Sequence, residues 1–184
     1  ILTALIIWFK NKTYKNLTFL LVLILLSQSY FIFNKTNTPS NEFIVFHKSR
    51  HSIIGLKNNR ELHLDHNLND IEKEKLITNY KVGEQINKTL HNSIKDFYII
   101  NEQIVLVIDS LNIYSTKTIK PDILLLRNSP EINLKRVIDS IKPKLIISDG
   151  SNYKSYQDRW AKTCENKKIP FHQTSKKGFF QIKY

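Results

Sequence analysis

The hydrophobic and polar positions divide the chain into an apolar N-terminal part and a longer part with alternating patterns. Residues 16–34 contain no charged residue and no histidine, and residues 17–33 are mostly apolar. A helix rises about 1.5 Å per residue, so this segment nearly crosses a hydrocarbon layer about 30 Å thick. It is predicted to span a membrane.

Residues 1–9 are also apolar and are interpreted as the tail of an earlier membrane helix. Basic residues follow this segment, whereas in a signal peptide they precede the apolar stretch. Lys10, Lys12 and Lys15 lie in the loop between the two segments, and short basic loops stay in the cytoplasm. We therefore expect a multi-pass protein of the cytoplasmic (inner) membrane, with its polar part on the outer, periplasmic side.

The polar part reads as one α/β domain after a short linker. The predicted organisation is membrane segments with a basic loop (1–34), a linker (35–41) and a single domain (42–184). Short alternating segments at 43–47, 52–56 and 61–65 predict a hairpin or meander. A helical stripe, with Asn69 and Glu72 as a capping box, predicts a helix over 69–94, with Gly83 as a candidate break.

The C-terminal half alternates between strand and helix patterns. The expected elements are buried strands at 104–108, 123–126 and 145–148, helices at 132–141 and 153–167, and a hairpin formed by 171–174 and 179–182. Strands that alternate with helices indicate an α/β sandwich.

The net charge is +12, and no acidic residue precedes position 34, so the polar part is strongly basic. Such an excess favours polyanions or an anionic lipid surface, although a generally basic composition with scattered lysines explains it equally well. Cys164 is the sole cysteine, which excludes an internal disulfide and a cysteine-based zinc cluster. Its helical spacing from Tyr153, Tyr156 and Trp160 predicts that it is buried on a core stripe.

One group of residues has the composition of a metal site. His63 and Asp65 would share a strand face, with His66 in the following loop, and such side chains bind divalent metals. The alternative is a solvated strand end. Asp109 and Asp149 follow buried strands, where active-site acids occur in α/β folds, but aspartate also suits turns at strand ends.

Two basic groups are candidates for contact with DNA. Lys48 and Arg50 lie in a predicted turn flanked by histidines, and the alternative there is an exposed hairpin turn. Lys154, Arg159 and Lys162 are interleaved with aromatic residues, a pattern that suits single-stranded nucleic acid. The alternative for this helix is a buried aromatic stripe with a solvated basic face.

The order of motifs resembles the C-terminal part of ComEC competence membrane proteins, many of which end in a metallo-β-lactamase-like domain. Residues 43–56 and 62–66 resemble the opening strands of that domain, and 105–109 (VLVID) resemble its strand ending in a metal-binding aspartate. Residues 122–129 (DILLLRNS) resemble the motif DxLxxxHHGS, and 144–153 (KLIISDGSNY) resemble a strand followed by SxGxxN. Residues 164–182 resemble its closing helix, strand and hairpin.

The resemblance implies N-terminal transmembrane helices followed by a shortened metallo-β-lactamase-like α/β sandwich. The family's HxHxDH motif is missing between residues 66 and 100, and its paired histidines are Arg127 and Asn128 here, so Asp109 is the one retained ligand position. A catalytic zinc needs about three protein ligands.

The implied function is a non-catalytic accessory domain of a channel for DNA uptake in natural transformation, with no cofactor. Its expected partners are the rest of the channel and DNA. One alternative is a metal-dependent nuclease or hydrolase of the same fold that binds zinc through His63, Asp65, His66 and Asp109. A third possibility is a purely structural cap that stabilises the channel.

Overall fold

The computed structural model describes residues 2–37, 41–110 and 120–184 and divides into two compact units, Ile1–Pro39 and Ser40–Tyr184. The first unit contains helices α1 (Leu2–Lys10) and α2 (Tyr14–Asn37). Within the described residues, one helical segment, Tyr14–Phe33, is long and apolar enough to cross a membrane, with a mean hydropathy of 1.9.

Two hydroxyl side chains of α2 are satisfied within the helix. The Thr18 hydroxyl donates to the Lys15 carbonyl at 2.9 Å, and the Ser27 hydroxyl donates to the Ile24 carbonyl at 2.8 Å. Hydroxyl groups paired in this way leave no unsatisfied donor on an apolar helix surface.

The second unit is a mixed α/β domain with two five-stranded sheets. Its strands are β1 (Glu42–Lys48), β2 (His51–Asn58), β3 (Glu61–His66), β4 (Lys88–Asn92), β5 (Phe97–Ile100), β6 (Gln103–Ile108), β7 (Ile123–Leu126), β8 (Leu145–Ser148), β9 (Phe171–Gln173) and β10 (Phe180–Lys183). Its helices are a 3₁₀ turn (Ile71–Lys73), α3 (Lys75–Gly83), α4 (Leu134–Ile141), α5 (Lys154–Asn166) and the single turn α6 (Thr174–Lys177).

The two sheets differ in strand direction. The first has the order β10-β1-β2-β3-β4, in which β10, β1, β2 and β3 are antiparallel neighbours and β4 runs parallel to β3. The second has the order β5-β6-β7-β8-β9, in which β6 to β9 are parallel. The carboxyl ends of β6, β7, β8 and β9 therefore lie at one edge of the second sheet.

Three apolar clusters hold the domain together. One lies between the sheets and includes Phe43, Ile54, Val105 and Leu125. A second packs α4 and α5 against the outer face of the second sheet, and a third packs α3 against the outer face of the first sheet. The result is an α/β/β/α layering in which every residue of β7 is buried, as its continuous apolar sequence requires.

Helix α4 shows how the sequence sets local structure. The Asn133 side chain accepts a hydrogen bond from the Arg136 amide and caps the helix start, and Lys142 ends it in the left-handed region at φ 55°. The residues between them that are buried in the second cluster are Leu134, Val137, Ile138 and Ile141. Their spacing forms one apolar face.

The structure corrects several sequence predictions. The helix expected over 69–94 ends at Gly83, and 88–92 form β4, which pairs with β3. The Asn69 capping box is wrong, because Asp70 precedes the 3₁₀ turn and Glu74 precedes α3, neither with a side-chain cap. The C-terminal hairpin is also wrong, since β9 pairs with β8 while β10 pairs with β1 in the other sheet.

Two further predictions, for the buried stripe of α5 and for the linker, differ from the structure in part. Tyr153 precedes α5 and is exposed, so it is not part of the buried stripe, whereas Trp160 and Cys164 are buried as predicted. The expected linker at 35–41 overlaps α2, which continues to Asn37; residues 38–40 of that linker lie outside the described residues.

Candidate functional site at the carboxyl ends of the parallel strands

The carboxyl edge of the second sheet meets the β1–β2 turn and forms a polar site. The Arg50 amide in this turn donates to the Gly150 carbonyl, which follows β8, at 2.8 Å. The approach is so close that a Cβ atom at Gly150 would lie 2.2 Å from the Lys48 carbonyl oxygen. A glycine is therefore required at position 150 for the turn to reach this edge.

Asp149, directly after β8, is the buried carboxylate of the site. Its Oδ1 accepts hydrogen bonds from the Ser151 amide at 3.0 Å, the Ser151 hydroxyl at 2.6 Å and the Asn152 side chain at 3.0 Å. Its Oδ2 accepts none from the residues that the structure describes. Burial raises the pKa of Asp149 to about 6, and Ser151, Ser52 and Arg127 limit that rise.

Asn152 links the ends of β7 and β8. Its side chain donates to the Leu126 carbonyl at 2.6 Å and accepts from the Ser129 amide at 2.7 Å. Asn128 and Ser129 both have left-handed backbone, at φ 54° and φ 51°. Two consecutive residues in this region are unfavourable unless their surroundings hold them, and the hydrogen bonds to Ser151 and Asn152 do so.

Arg127 brings a fixed positive charge to the site. Its side chain is 13 % exposed, its Nη1 lies 4.0 Å from Asp109 Oδ2, and its Nε donates to the Ser52 hydroxyl at 3.3 Å. The same guanidinium lowers the pKa values of Asp149 and Tyr98 against the larger effect of their burial. Arg127 therefore balances several acidic groups at once.

Asp65 is buried. The prediction of a solvated strand end, which was the alternative to a metal site, is therefore wrong for this residue. The residue is 1 % exposed and accepts hydrogen bonds from the Tyr98 hydroxyl at 2.8 Å and the Asn92 side chain at 3.4 Å. Burial, followed by the contact with Asp65, raises the pKa of Tyr98 well above its usual range. This tyrosine thus stays protonated and remains a donor to Asp65.

His66, at the end of β3, pairs with His91 on the neighbouring strand β4. Its Nε2 lies 3.3 Å from His91 Nδ1, and His91 Nε2 lies 2.8 Å from a Glu72 oxygen. The Leu68 amide donates to His66 Nδ1 at 3.2 Å, which leaves Nε2 as the protonated nitrogen. Burial and the neighbouring His91 lower the pKa of His66. His63 lies half-buried on β3.

These acids and histidines do not fit a zinc site. Within residues 2–37, 41–110 and 120–184, no three or more His, Cys, Asp or Glu side chains are grouped so that they could hold a metal ion. Asp65 is occupied by neutral donors, and the Arg127 charge beside Asp109 opposes a second cation.

The five basic candidates lie on two separate elements. Lys48 pairs with Glu74 at 2.7 Å, and Arg50 is exposed in the β1–β2 turn. Lys154 and Lys162 are exposed on α5, where the Arg159 guanidinium lies 4.6 Å from the centre of the Tyr156 ring. The candidates thus lie on a turn and on a helix, and of these two elements α5 combines several cations with an aromatic ring.

A family model described as the ComEC C-terminal domain matches residues 43–184. The chain belongs to the ComEC C-terminal domain family. No curated protein and no solved structure matches it significantly. Membership in the ComEC family indicates a role in DNA uptake during competence and a membrane protein as its context.

Proposed function

We propose that this chain is the anchored end of a ComEC-like DNA-uptake channel, and that residues 42–184 are a non-catalytic accessory domain. The domain would be a shortened metallo-β-lactamase-like sandwich, which its α/β/β/α layering supports. The rest of the membrane channel is the expected partner, and incoming DNA is the expected ligand.

The observation that carries the non-catalytic proposal is Arg127. In the ComEC motif DxLxxxHHGS that residues 122–129 resemble, the position of Arg127 is held by the first of two metal-binding histidines. Here the Arg127 guanidinium lies 4.0 Å from Asp109 and donates to Ser52. The positive charge beside the acidic groups of the site is therefore that of a side chain. A permanently charged side chain can stabilise these carboxylates but cannot activate water as a metal does.

Anchoring in the inner membrane is proposed from helix α2. Apolar side chains such as Leu25 and Phe31 are mostly exposed, which is unfavourable in water and favourable in lipid. Lys10 at the end of α1, Lys12 in the connecting loop and Lys15 at the start of α2 would remain in the cytoplasm. In this orientation α2 places the polar domain on the outer side, where transforming DNA arrives.

The full chain in lipid nanodiscs tests the proposal directly. We expect it to bind a fluorescent single-stranded oligonucleotide with an affinity that falls steeply between 50 and 200 mM salt, roughly tenfold or more, because each neutralised phosphate releases counterions. Nanodiscs without protein provide the background. Equal, salt-independent signals from loaded and empty nanodiscs would contradict a DNA-binding role.

A cleavage assay separates the accessory domain from a metal-dependent nuclease. We expect no degradation of labelled DNA with Zn²⁺ or Mn²⁺, and no difference between the natural chain and an Asp109→Asn variant. Metal-dependent cleavage that disappears in Asp109→Asn would replace the accessory role with the hydrolase alternative.

A further inference from the structure

A chain of hydrogen bonds joins the segment 67–74 to the edge strand β4. The Leu68 amide donates to His66 Nδ1 at 3.2 Å, so the proton of His66 lies on its Nε2. His66 Nε2 lies 3.3 Å from His91 Nδ1, and His91 Nε2 lies 2.8 Å from Glu72 Oε1. The chain therefore begins and ends on the segment 67–74 and passes through one histidine of β3 and one of β4.

The order of donors and acceptors in this chain fits two neutral histidines. Because His66 Nε2–H donates to His91 Nδ1, the proton of His91 lies on Nε2, from which it is donated to the Glu72 carboxylate. A proton added to His66 Nδ1 would remove the acceptor of the Leu68 amide. A proton added to His91 Nδ1 would remove the acceptor of His66. Either proton therefore breaks one link of the chain.

The charged groups around the histidine pair come from three elements. They are Asp65 on β3, Glu72 in the 3₁₀ turn and Lys81 on α3, which pairs with Glu72 at 2.9 Å. Lys81 and His91 hold the pKa of Glu72 below its usual range, so Glu72 stays ionised while the histidines titrate. Burial and the neighbouring histidine lower the pKa of His66 against the smaller opposing effects of Asp65 and Glu72.

The direction of the pKa shift of His66 agrees with a chain that weakens in acid. The ordinary pKa of histidine is 6.5, and the folded state binds the His66 proton less tightly than the unfolded chain does. The stability contributed by neutral His66 is present above this value. It is lost progressively as the pH falls from 6.5 through the lower pKa of the folded state.

The segment 67–74 also reaches the polar site at the carboxyl ends of the strands. The Ser52 amide donates to the Asn67 side chain at 3.0 Å, and the Asn67 amide donates to the Ser52 carbonyl at 3.4 Å. The Ser52 hydroxyl in turn accepts from Arg127 Nε at 3.3 Å. Asn67 directly follows His66 in the sequence, so a change in the contacts of His66 occurs one residue away from the group that positions Ser52.

We propose that Glu72, His91 and His66 form an acid-sensitive latch between β4 and the segment 67–74. At neutral pH the latch is closed and the segment holds Ser52 in the polar site. When either histidine takes up a proton, one link opens, and both the segment and its hold on Ser52 loosen. This regulation of the polar site does not depend on whether the domain binds DNA.

Hydrogen exchange of the full chain in nanodiscs measures the state of the latch. Exchange rates are converted to protection factors, so the intrinsic effect of pH on exchange cancels. The comparison runs from about pH 7.5 to about pH 5, on either side of the ordinary histidine pKa. The protection factors of the Leu68 and Ser52 amides should fall about fivefold, the equivalent of one lost hydrogen bond. Those of β7 and β8 should not fall.

A His66→Asn variant separates the latch from other effects of acid. Asparagine does not titrate in this range, and its side-chain oxygen can accept from the Leu68 amide in place of the ring nitrogen. The protection of Leu68 in this variant should therefore be the same at both pH values. His172→Gln is the control, because His172 lies on β9 with its Nε2 3.0 Å from the Gly178 carbonyl. This variant should respond to acid as the natural chain does.

Nitrogen NMR of the histidine-labelled chain gives a second readout, in which the His66 signals are those missing from His66→Asn. At neutral pH the His66 proton should be on Nε2. A proton on Nδ1, or equal protection of Leu68 at both pH values in the natural chain, would overturn the latch. An equal fall in the natural chain and in His66→Asn would also overturn it, because another group would be the cause. Loss of protection at Leu68 without loss at Ser52 would overturn the connection to the polar site.

Discussion

Asp149 is a buried carboxyl group, and one of its two oxygens has no hydrogen-bond donor among the residues that the structure describes. Its pKa is raised from 3.8 to about 6, with burial as the main cause. The folded state therefore binds this proton more tightly than the unfolded chain does. The stability contributed by the protonated form is lost as the pH rises from about 4 to about 6, and the loss persists above that range.

An Asp149→Asn variant is expected to be more stable than the natural chain near pH 7, by about 1–3 kcal/mol. The amide oxygen keeps the acceptor for Ser151 and Asn152, while the buried charge is gone. The advantage should vanish near pH 4. Thermal unfolding of the full chain in detergent at both pH values measures it.

Asp139→Asn provides the control, because Asp139 is an exposed acid on α4 that pairs with Lys167. This variant should follow the natural chain at both pH values. A loss of stability in Asp149→Asn that is equal at pH 4 and pH 7 would mean that the hydrogen bonds of the carboxylate, and not its charge, determine its contribution.

The sequence could indicate single residues of the site but not their partners. Asp109 and Asp149 were expected at strand ends, and Arg127 was expected in place of a metal ligand. Ser52 and Tyr98, which contact Arg127 and Asp65, carry no local signal, because the chain positions that meet here are separated by 75 and 33 residues. Such contacts depend on the packing of two sheets.

Gly150 is where the first sheet, through its β1–β2 turn, reaches the end of β8. In a Gly150→Ala variant the new methyl group would collide with the Lys48 carbonyl, which belongs to backbone and cannot rotate away. We expect a loss of at least about 2 kcal/mol in the free energy of unfolding, together with faster hydrogen exchange at the Arg50 amide, whose acceptor is Gly150.

Gly83→Ala is the matched control, since no side chain or other segment among the described residues lies within 4 Å of a Cβ atom at that helical position. Alanine should leave stability unchanged or raise it by up to about 1 kcal/mol. Equal effects of the two substitutions in urea unfolding would show that the turn does not need the close approach at Gly150.

Elements with a strong local pattern were predicted well. Strands β7 and β8 match their predicted bounds, because continuous apolar runs have one stable location between two covered faces. Strand β4 was missed, since residues 84–94 keep a helical spacing of apolar positions while pairing with β3 decides their structure. The wrong hairpin has a similar cause. Strand β10 pairs with β1, which lies at the other end of the domain's sequence, so no local pattern indicates the pairing.

The orientation of the whole molecule in the membrane can be tested by cysteine labelling. Cys164 is buried, and burial raises its pKa to about 12, so the natural chain should react little with maleimide. A Ser155→Cys variant places a thiol on the exposed surface of α5, and a Thr13→Cys variant places one in the basic loop between α1 and α2.

In intact spheroplasts, a membrane-impermeant maleimide should label Ser155→Cys but not Thr13→Cys, because the lysines around Thr13 keep that loop in the cytoplasm. Permeabilised cells should show labelling of both variants, and the natural chain should stay unlabelled in each condition. Labelling of Thr13→Cys alone in intact spheroplasts would place the domain in the cytoplasm. It would then meet DNA only after transport, and a role in receiving incoming strands would be excluded.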